Sequence, residues 1–278
     1  MTVQIVTGHT HADMGITPGT YVSSIVGDFI RGSLTEYSVI FNKRTFRKEY
    51  TVLGKYASFD MSRSILHVPV NFVPQIKELL VSRGINVTEF RMCDYPLRKI
   101  DIKVNEEYHD LEHQVDLIKK CSEPTPGMKG LAMQTGKGKT YAAIRSICNL
   151  GYAAVVIAPG LADQWIKSFL DFTGERDEIY KIQEFKRLQM LMNSDWMPKV
   201  FVCSIQTMQA YSKGKENYRM LPYNYKQFFE HYGIGVKVVD ECHLNFHATV
   251  RMDLNTNVPY NLYCSATFGQ TNKYAARI

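Results

Sequence analysis

The sequence predicts an α/β protein in which a parallel sheet flanked by helices follows a smaller α+β module. Three observations carry this. Four short apolar runs, at 153–157, 200–203, 236–239 and 261–264, have the composition of strands buried on both faces. Amphipathic stretches alternate with them, and each run ends in a small polar cluster. At one join, Met133-Gln134-Thr135-Gly136-Lys137-Gly138-Lys139-Thr140 has the glycine and lysine spacing of a phosphate-gripping loop between a strand and a helix. The module takes residues 1–104, and the lobe carrying the loop takes 105–278.

The module begins with a β-type run at Val3–Thr7, ending in Gly8. His9 and His11 then have the spacing of a metal-ligand pair. Such a site needs further ligands at later strand ends, and the remaining histidines (67, 109, 113, 231, 243, 247) show no such progression. His9-Thr10-His11-Ala12-Asp13 is therefore expected to be a polar loop. Between Phe41 and Tyr50 the cations Lys43, Arg44, Arg47 and Lys48 interleave with Phe41, Phe46 and Tyr50. That mixture suits a phosphate backbone with unstacked bases, and it equally suits a solvated strand edge guarded by charge. Tyr50–Leu53, Tyr56–Phe59 and Ile65–Val68 read as antiparallel strands with turns at Gly54 and at 60–63. A helix follows, with Pro74 in its first turn, Val73, Ile76, Leu79 and Leu80 on its apolar face and Gly84 at its stop. Ile85–Phe90 is one more strand, and 95–104 the connector.

The 278 residues are 45% hydrophobic, enough for a sizeable core, and carry a net charge of +6, which permits a polyanionic partner without requiring one. No apolar run approaches the roughly 18 residues that span a bilayer, and the N-terminus lacks the basic and apolar stretches of a signal peptide. Six cysteines without a C-x-x-C pair point to reduced thiols in a cytoplasmic setting, not to a disulfide scaffold or zinc ribbon.

In the lobe, Leu111–Lys120 reads as a helix carrying Gln114, Gly127–Met133 as the strand into the loop and Thr140–Asn149 as the helix out of it. Gly136 and Gly138 permit the backbone angles that let peptide N–H groups close around an anion, and the helix start adds the positive end of its dipole. Lys139 supplies a cation for the β- and γ-phosphates, and Thr140 a hydroxyl for magnesium. Met133 stands where the general pattern has Gly, so the loop is expected to turn at Thr135-Gly136 instead. About a hundred residues later Asp240 ends an apolar strand, the place of the carboxylate that holds magnesium, with Glu241 beside it to activate the attacking water. His243 and His247 stand four apart, but no third ligand is evident, and His243 is read as a polar contact that reports nucleotide state.

Taken in order, Gln114, Thr135-Gly136-Lys137-Gly138-Lys139-Thr140, Ala158-Pro159, Ser204-Ile205-Gln206-Thr207, Asp240-Glu241-Cys242-His243 and Ser265-Ala266-Thr267 resemble the motifs of superfamily 2 DNA/RNA helicases. The branch they are most similar to is the phage UvsW-like and restriction-enzyme-like one. The resemblance implies a first RecA-like lobe that binds ATP and Mg2+, and a nucleic-acid partner, DNA ahead of RNA. If the source is a phage, the setting is the host cytoplasm. Gln114 would read the adenine edge, and Ser265 and Thr267 would couple the nucleotide to the track. Pro159, Gly160, Gln164, Gln206 and Thr207 would face a bound strand, although relatives often carry a hydroxyl residue at the position of Gly160. It also implies a second RecA-like lobe, for which the eleven residues after Thr267 leave no room, so the sequence reads as a fragment, as one piece of a split protein whose second lobe is a separate chain, or as a nucleotide-binding remnant. The rival readings are a non-motor scaffold that keeps the nucleotide lobe and, less well supported, a phosphotransferase.

Overall fold

The computed structural model describes residues 1–182, 190–208 and 225–267. The first unit contains β1 (Thr2–Thr7), β2 (His11–Gly15), α1 (Tyr21–Ser33), β3 (Thr35–Asn42), β4 (Arg47–Lys55), β5 (Ser58–Asp60), β6 (Ile65–Pro69), α2 (Val73–Ser82) and β7 (Asn86–Arg91). Five of these strands form one sheet in the order β5-β6-β2-β1-β7, while β3 and β4 pair only with each other as a ribbon. Val3, Ile5, Ala12 and Met14 of the sheet bury against Val22 and Val26 of α1 and Ile76 and Leu80 of α2. The expected α2 and β7 are present. The helix α1 was not foreseen: its serines and glycines blur the apolar period, and it is fixed by Thr20, whose hydroxyl accepts the Ser23 N–H at the N-cap.

One expectation is overturned. Residues 9–13 are not a polar loop: the chain turns at Gly8, where the N–H donates to the carbonyl of His11, and 11–15 return as β2 beside β1. His11 is buried, and Asp13 lies opposite His67 on β6. Burial holds the His11 ring neutral, lowering its pKa to about 4 against the raising charge of Asp13. Alternation along this short strand was hidden because only Ala12 and Met14 face the apolar core, while the polar His11 is buried on the opposite face.

The second unit contains α3 (Glu112–Cys121), β8 (Gly127–Ala132), α4 (Lys139–Leu150), β9 (Ala154–Ile157), α5 (Ala162–Thr173), β10 (Ile179–Ile182), β11 (Val200–Cys203), α6 (Tyr225–His231), β12 (Val236–Val239), α7 (Phe246–Asp253) and β13 (Tyr260–Ser265). Its sheet is parallel throughout, in the order β10-β11-β9-β12-β13-β8. The strands β9, β11 and β12 are buried at every position, which is why they read as apolar runs. One apolar layer, around α3, α4 and α5, covers one face, and a second, with α6 and α7, covers the other. The segment read as a connector lies on this unit: Ile102 and Val104 enter its core, and Arg98 donates to the carbonyls of Tyr232 and Met197.

The two units share α7. Its Val250, with Leu254 just past its end, completes the apolar core of the first unit. Tyr56 packs on Phe246 with ring centres 5.5 Å apart, and the Thr10 hydroxyl donates to the Asp253 carbonyl at 2.9 Å. In the middle of β12, Lys237 is fully buried and paired with Asp253, which also accepts the Tyr263 hydroxyl at 2.6 Å. Burial, reinforced by the Asp253 charge, pushes the Tyr263 phenol well above its usual pKa, so it stays a donor. Lys237→Ala leaves that carboxylate buried without its cation, and is expected to lower stability by about 3–5 kcal/mol, read from urea unfolding. A loss under about 1 kcal/mol, the range of exposed pairs, would mean that the pair is solvated.

Candidate nucleotide site

The site lies at the carboxyl ends of β8, β12 and β13. Between β8 and α4 the loop turns with Gly136 at φ 79° and Gly138 at φ 84°, left-handed values that glycine adopts without strain. Gly138 is fixed a second way: a Cβ there would stand 2.2 Å from Nε2 of Gln114. Met133 is buried in the core below the loop and its N–H reaches the Ser265 carbonyl at 3.3 Å, so the turn begins after it, at the exposed residues Thr135, Gly136 and Lys137. Gln114 is buried. Its Oε1 accepts the Leu111 N–H and its Nε2 donates to the Lys137 carbonyl, both at 3.1 Å. The His113 ring donates to the same carbonyl at 3.1 Å. Gln114 thus braces the loop and its own helix start, with one amide hydrogen and one lone pair left over.

Lys139 opens α4 and points across β13 to β12. Its Nζ lies 3.2 Å from Asp240 Oδ1 and is hydrogen-bonded to Glu241 Oε1. Burial would lower the pKa of this ammonium, but the hydrogen bond to Glu241 and the charge of Asp240 outweigh it and the pKa is raised. Asp240 is itself buried; it accepts the Glu241 N–H on Oδ1 at 3.0 Å and the Trp165 indole N–H on Oδ2 at 2.9 Å. Glu241 has φ 43°, a left-handed backbone that disfavours a side chain by about 1–2 kcal/mol. Its neighbour Cys242 is tied by N–H to the Cys264 carbonyl on β13, which holds the turn that directs the Glu241 side chain back to Lys139. Thr140 follows Lys139 into α4 and is half-buried.

His243 and Ser265 meet, Nδ1 to Oγ at 2.9 Å, and the Ser265 Oγ accepts the Thr267 N–H at 3.0 Å. The chain therefore brings His243, Ser265 and Thr267 into one network beside the acidic pair. His247 diverges from His243 and bonds the backbone of Lys55. Pro159, Gly160 and the exposed Gln164 follow β9; the exposed Gln206 and half-buried Thr207 follow β11. These two strands are neighbours, with Ile157 opposite Cys203, so both clusters lie on one edge of the same sheet end. Lys43, Arg44, Arg47 and Lys48 are elsewhere, all exposed at the tip of the β3–β4 ribbon.

Residues 103–270, more than half of the sequence, match the family described as ResIII, type III restriction enzyme, res subunit. The chain belongs to the ResIII family. A search of curated protein sequences finds no match. Among solved structures, the ResIII chain is similar to the UvsW helicase from bacteriophage T4 at 15% identity and TM-score 0.56, covering 99% of this chain and 96% of that one. A second structure, of T4 UvsW, matches at 16% identity and TM-score 0.56, over 100% of this chain and 55% of the other. At such identities the likeness speaks for a helicase-type fold, including the first unit, and not for an activity. Among the described residues no helix is long and apolar enough to cross a membrane.

Trp165 escaped the sequence reading. A tryptophan one turn into the helix after Ala158-Pro159-Gly160 signals a buried ring that needs an acceptor for its N–H, but nothing in the order of residues says that the acceptor is Asp240. Trp165→Phe leaves one oxygen of a buried carboxylate unpaired. It is expected to lower stability by about 1–3 kcal/mol and to weaken magnesium-dependent nucleotide binding about tenfold, measured by titration with a non-hydrolysable ATP analogue. Unchanged affinity would show that Asp240 needs no support from the indole.

Proposed function

We propose that this ResIII chain contains the ATP-binding lobe and a nucleic-acid-binding module of an ATP-driven helicase or translocase acting in phage-type replication, recombination or repair. The observation that carries the reading is the convergence of Lys139 with Asp240 and Glu241 beneath a loop of two left-handed glycines. The ends of β8 and β12 are separated only by β13, so they stand about two strand spacings, roughly 9–10 Å, apart. That gap suits a phosphate chain and its counter-ion.

The residues fit a magnesium nucleotide. Loop N–H groups and the start of α4 would face the phosphates, and Lys139, now held by two carboxylates, would exchange them for phosphate oxygens. Thr140 and Asp240 would hold magnesium, whose contribution is to neutralise phosphate charge. Released from Lys139, Glu241 becomes free to accept the proton of the attacking water. Gln114 keeps an amide hydrogen and a lone pair with which to read adenine. The His243–Ser265–Thr267 network flanks the acidic pair on the β13 side, and Pro159, Gly160, Gln164, Gln206 and Thr207 follow β9 and β11 on the other side, where a DNA strand, ahead of RNA, would lie. On the ribbon, Tyr37, Val39, Phe41, Tyr50 and Val52 are exposed beside the basic tip. Apolar and aromatic surface left uncovered next to four cations favours the nucleic-acid reading of this patch over a plain solvated edge. A second RecA-like lobe packed against this one completes the proposal.

Lys139→Ala should abolish magnesium-dependent binding of an ATP analogue; retained binding would mean that the loop is not a nucleotide site. Replacing Lys43, Arg44, Arg47 and Lys48 together by Ala should weaken DNA binding and flatten its log–log salt dependence by about 3–4 if all four meet phosphates. An unchanged slope would place the contact elsewhere. With the second lobe added in trans, Glu241→Gln is expected to remove ATP turnover while sparing ATP binding.

A further inference from the structure

Between the first unit and α7 lies a cleft of about 860 Å³. Its wall carries three side chains that the nucleotide site does not use: His11 and Asp13 of β2, and His67 of β6. The strand period of two puts His11 and Asp13 on one face, and the antiparallel register sets His67 directly opposite Asp13. One ligand atom from each lies within 4.8 Å of the other two. His67 Nδ1 is 2.6 Å from Asp13 Oδ1, and His11 Nε2 is 3.5 Å from the same oxygen.

The surroundings of His11 orient its ring. Thr10 has one hydroxyl proton, which goes to the carbonyls of Asp253 and Thr256. Toward His11 Nδ1, at 3.3 Å, the Thr10 oxygen is therefore an acceptor, so Nδ1 is the donor nitrogen. Nε2, on the other side of the ring, faces Asp13 Oδ1. His11 is only 5% exposed, so its ring is held in this orientation by packing.

We propose that His11, Asp13 and His67 form a binding site for a divalent transition metal of the zinc type, with a further coordination position open to the cleft. Two imidazole nitrogens and a carboxylate oxygen are a zinc donor set; magnesium and calcium take oxygen ligands and would leave the histidines unused. Thr10, on the far nitrogen of His11, supplies the outer hydrogen bond that fixes a ligating imidazole. Bonds of about 2.0–2.1 Å put neighbouring ligand atoms of a tetrahedral zinc roughly 3.3 Å apart. The 3.5 Å pair meets that spacing already, and the His67–Asp13 hydrogen bond opens by less than about an ångström once His67 gives up its Nδ1 proton. Of the other charged groups lining the cleft, Arg63 pairs with Asp60 and Lys226 with Glu230. The ion would pin β2 to β6 at the seam where the two units meet.

The test uses the full chain, stripped with a chelator and titrated with Zn2+ and with Co2+ as a spectroscopic probe. The expected result is one equivalent bound, with visible cobalt bands and no thiolate-to-cobalt charge transfer, since exposed Cys93 also borders the cleft. His67→Gln and Asp13→Asn should each weaken zinc binding at least about tenfold while leaving the circular dichroism in chelator unchanged. Lys139→Ala should bind zinc as the unaltered chain does. Absence of stoichiometric binding by the unaltered chain, a thiolate band, or undiminished affinity in His67→Gln overturns the site, and leaves His67–Asp13 as a hydrogen bond that joins two strands.

Discussion

The contact on which this molecule turns is an ion pair made across a strand. Lys139 belongs to the helix after β8 and its partners Asp240 and Glu241 to the end of β12; β13 runs between them. Nothing local holds them together. The parallel order of the sheet does, and the sheet is ordered by apolar strands that can only be satisfied in its interior. A lysine held by two acids in a partly buried place leaves the cluster with one carboxylate more than its cation balances.

The same logic ties the first unit to the site. The chain leaves the Asp240–His243 turn, crosses to Asn245 and enters α7, whose Val250, with Leu254 just past its end, finishes the core of the first unit. At the start of this helix Phe246 lies against Tyr56, and His247 holds the backbone at Lys55, the last residue of the ribbon strand β4. At its other end Asp253 neutralises the buried Lys237 of β12. One helix of two turns, a short step along the chain from the acidic pair, therefore touches the sheet and the base of the ribbon.

Much of the lobe was legible in the order of residues, because its determinants are short-range. Glycines at 136 and 138, a lysine and threonine after them, and an Asp-Glu after an apolar run are signals that survive in any fold containing them. The first unit was less legible. The helix α1 carries serine and glycine through its period, and β2 buries a histidine, so neither obeys the apolar alternation that betrays a strand or helix. Lys237 was read within an apolar strand. Its partner, sixteen residues on in another element, was invisible from the strand itself.

Residue order alone was sufficient for the glycine turns of the loop after β8 and the alternation of strands and helices, since both follow from backbone freedom and apolar periodicity within a few neighbours. Which groups share a charge, a proton or a lone pair was settled only by packing. Trp165 on Asp240, Gln114 against Gly138, and His67 beside Asp13 each join residues from different elements. Hydrogen bonds and ion pairs act over about three ångströms, and no sequence separation translates into that distance until the sheet has chosen its order.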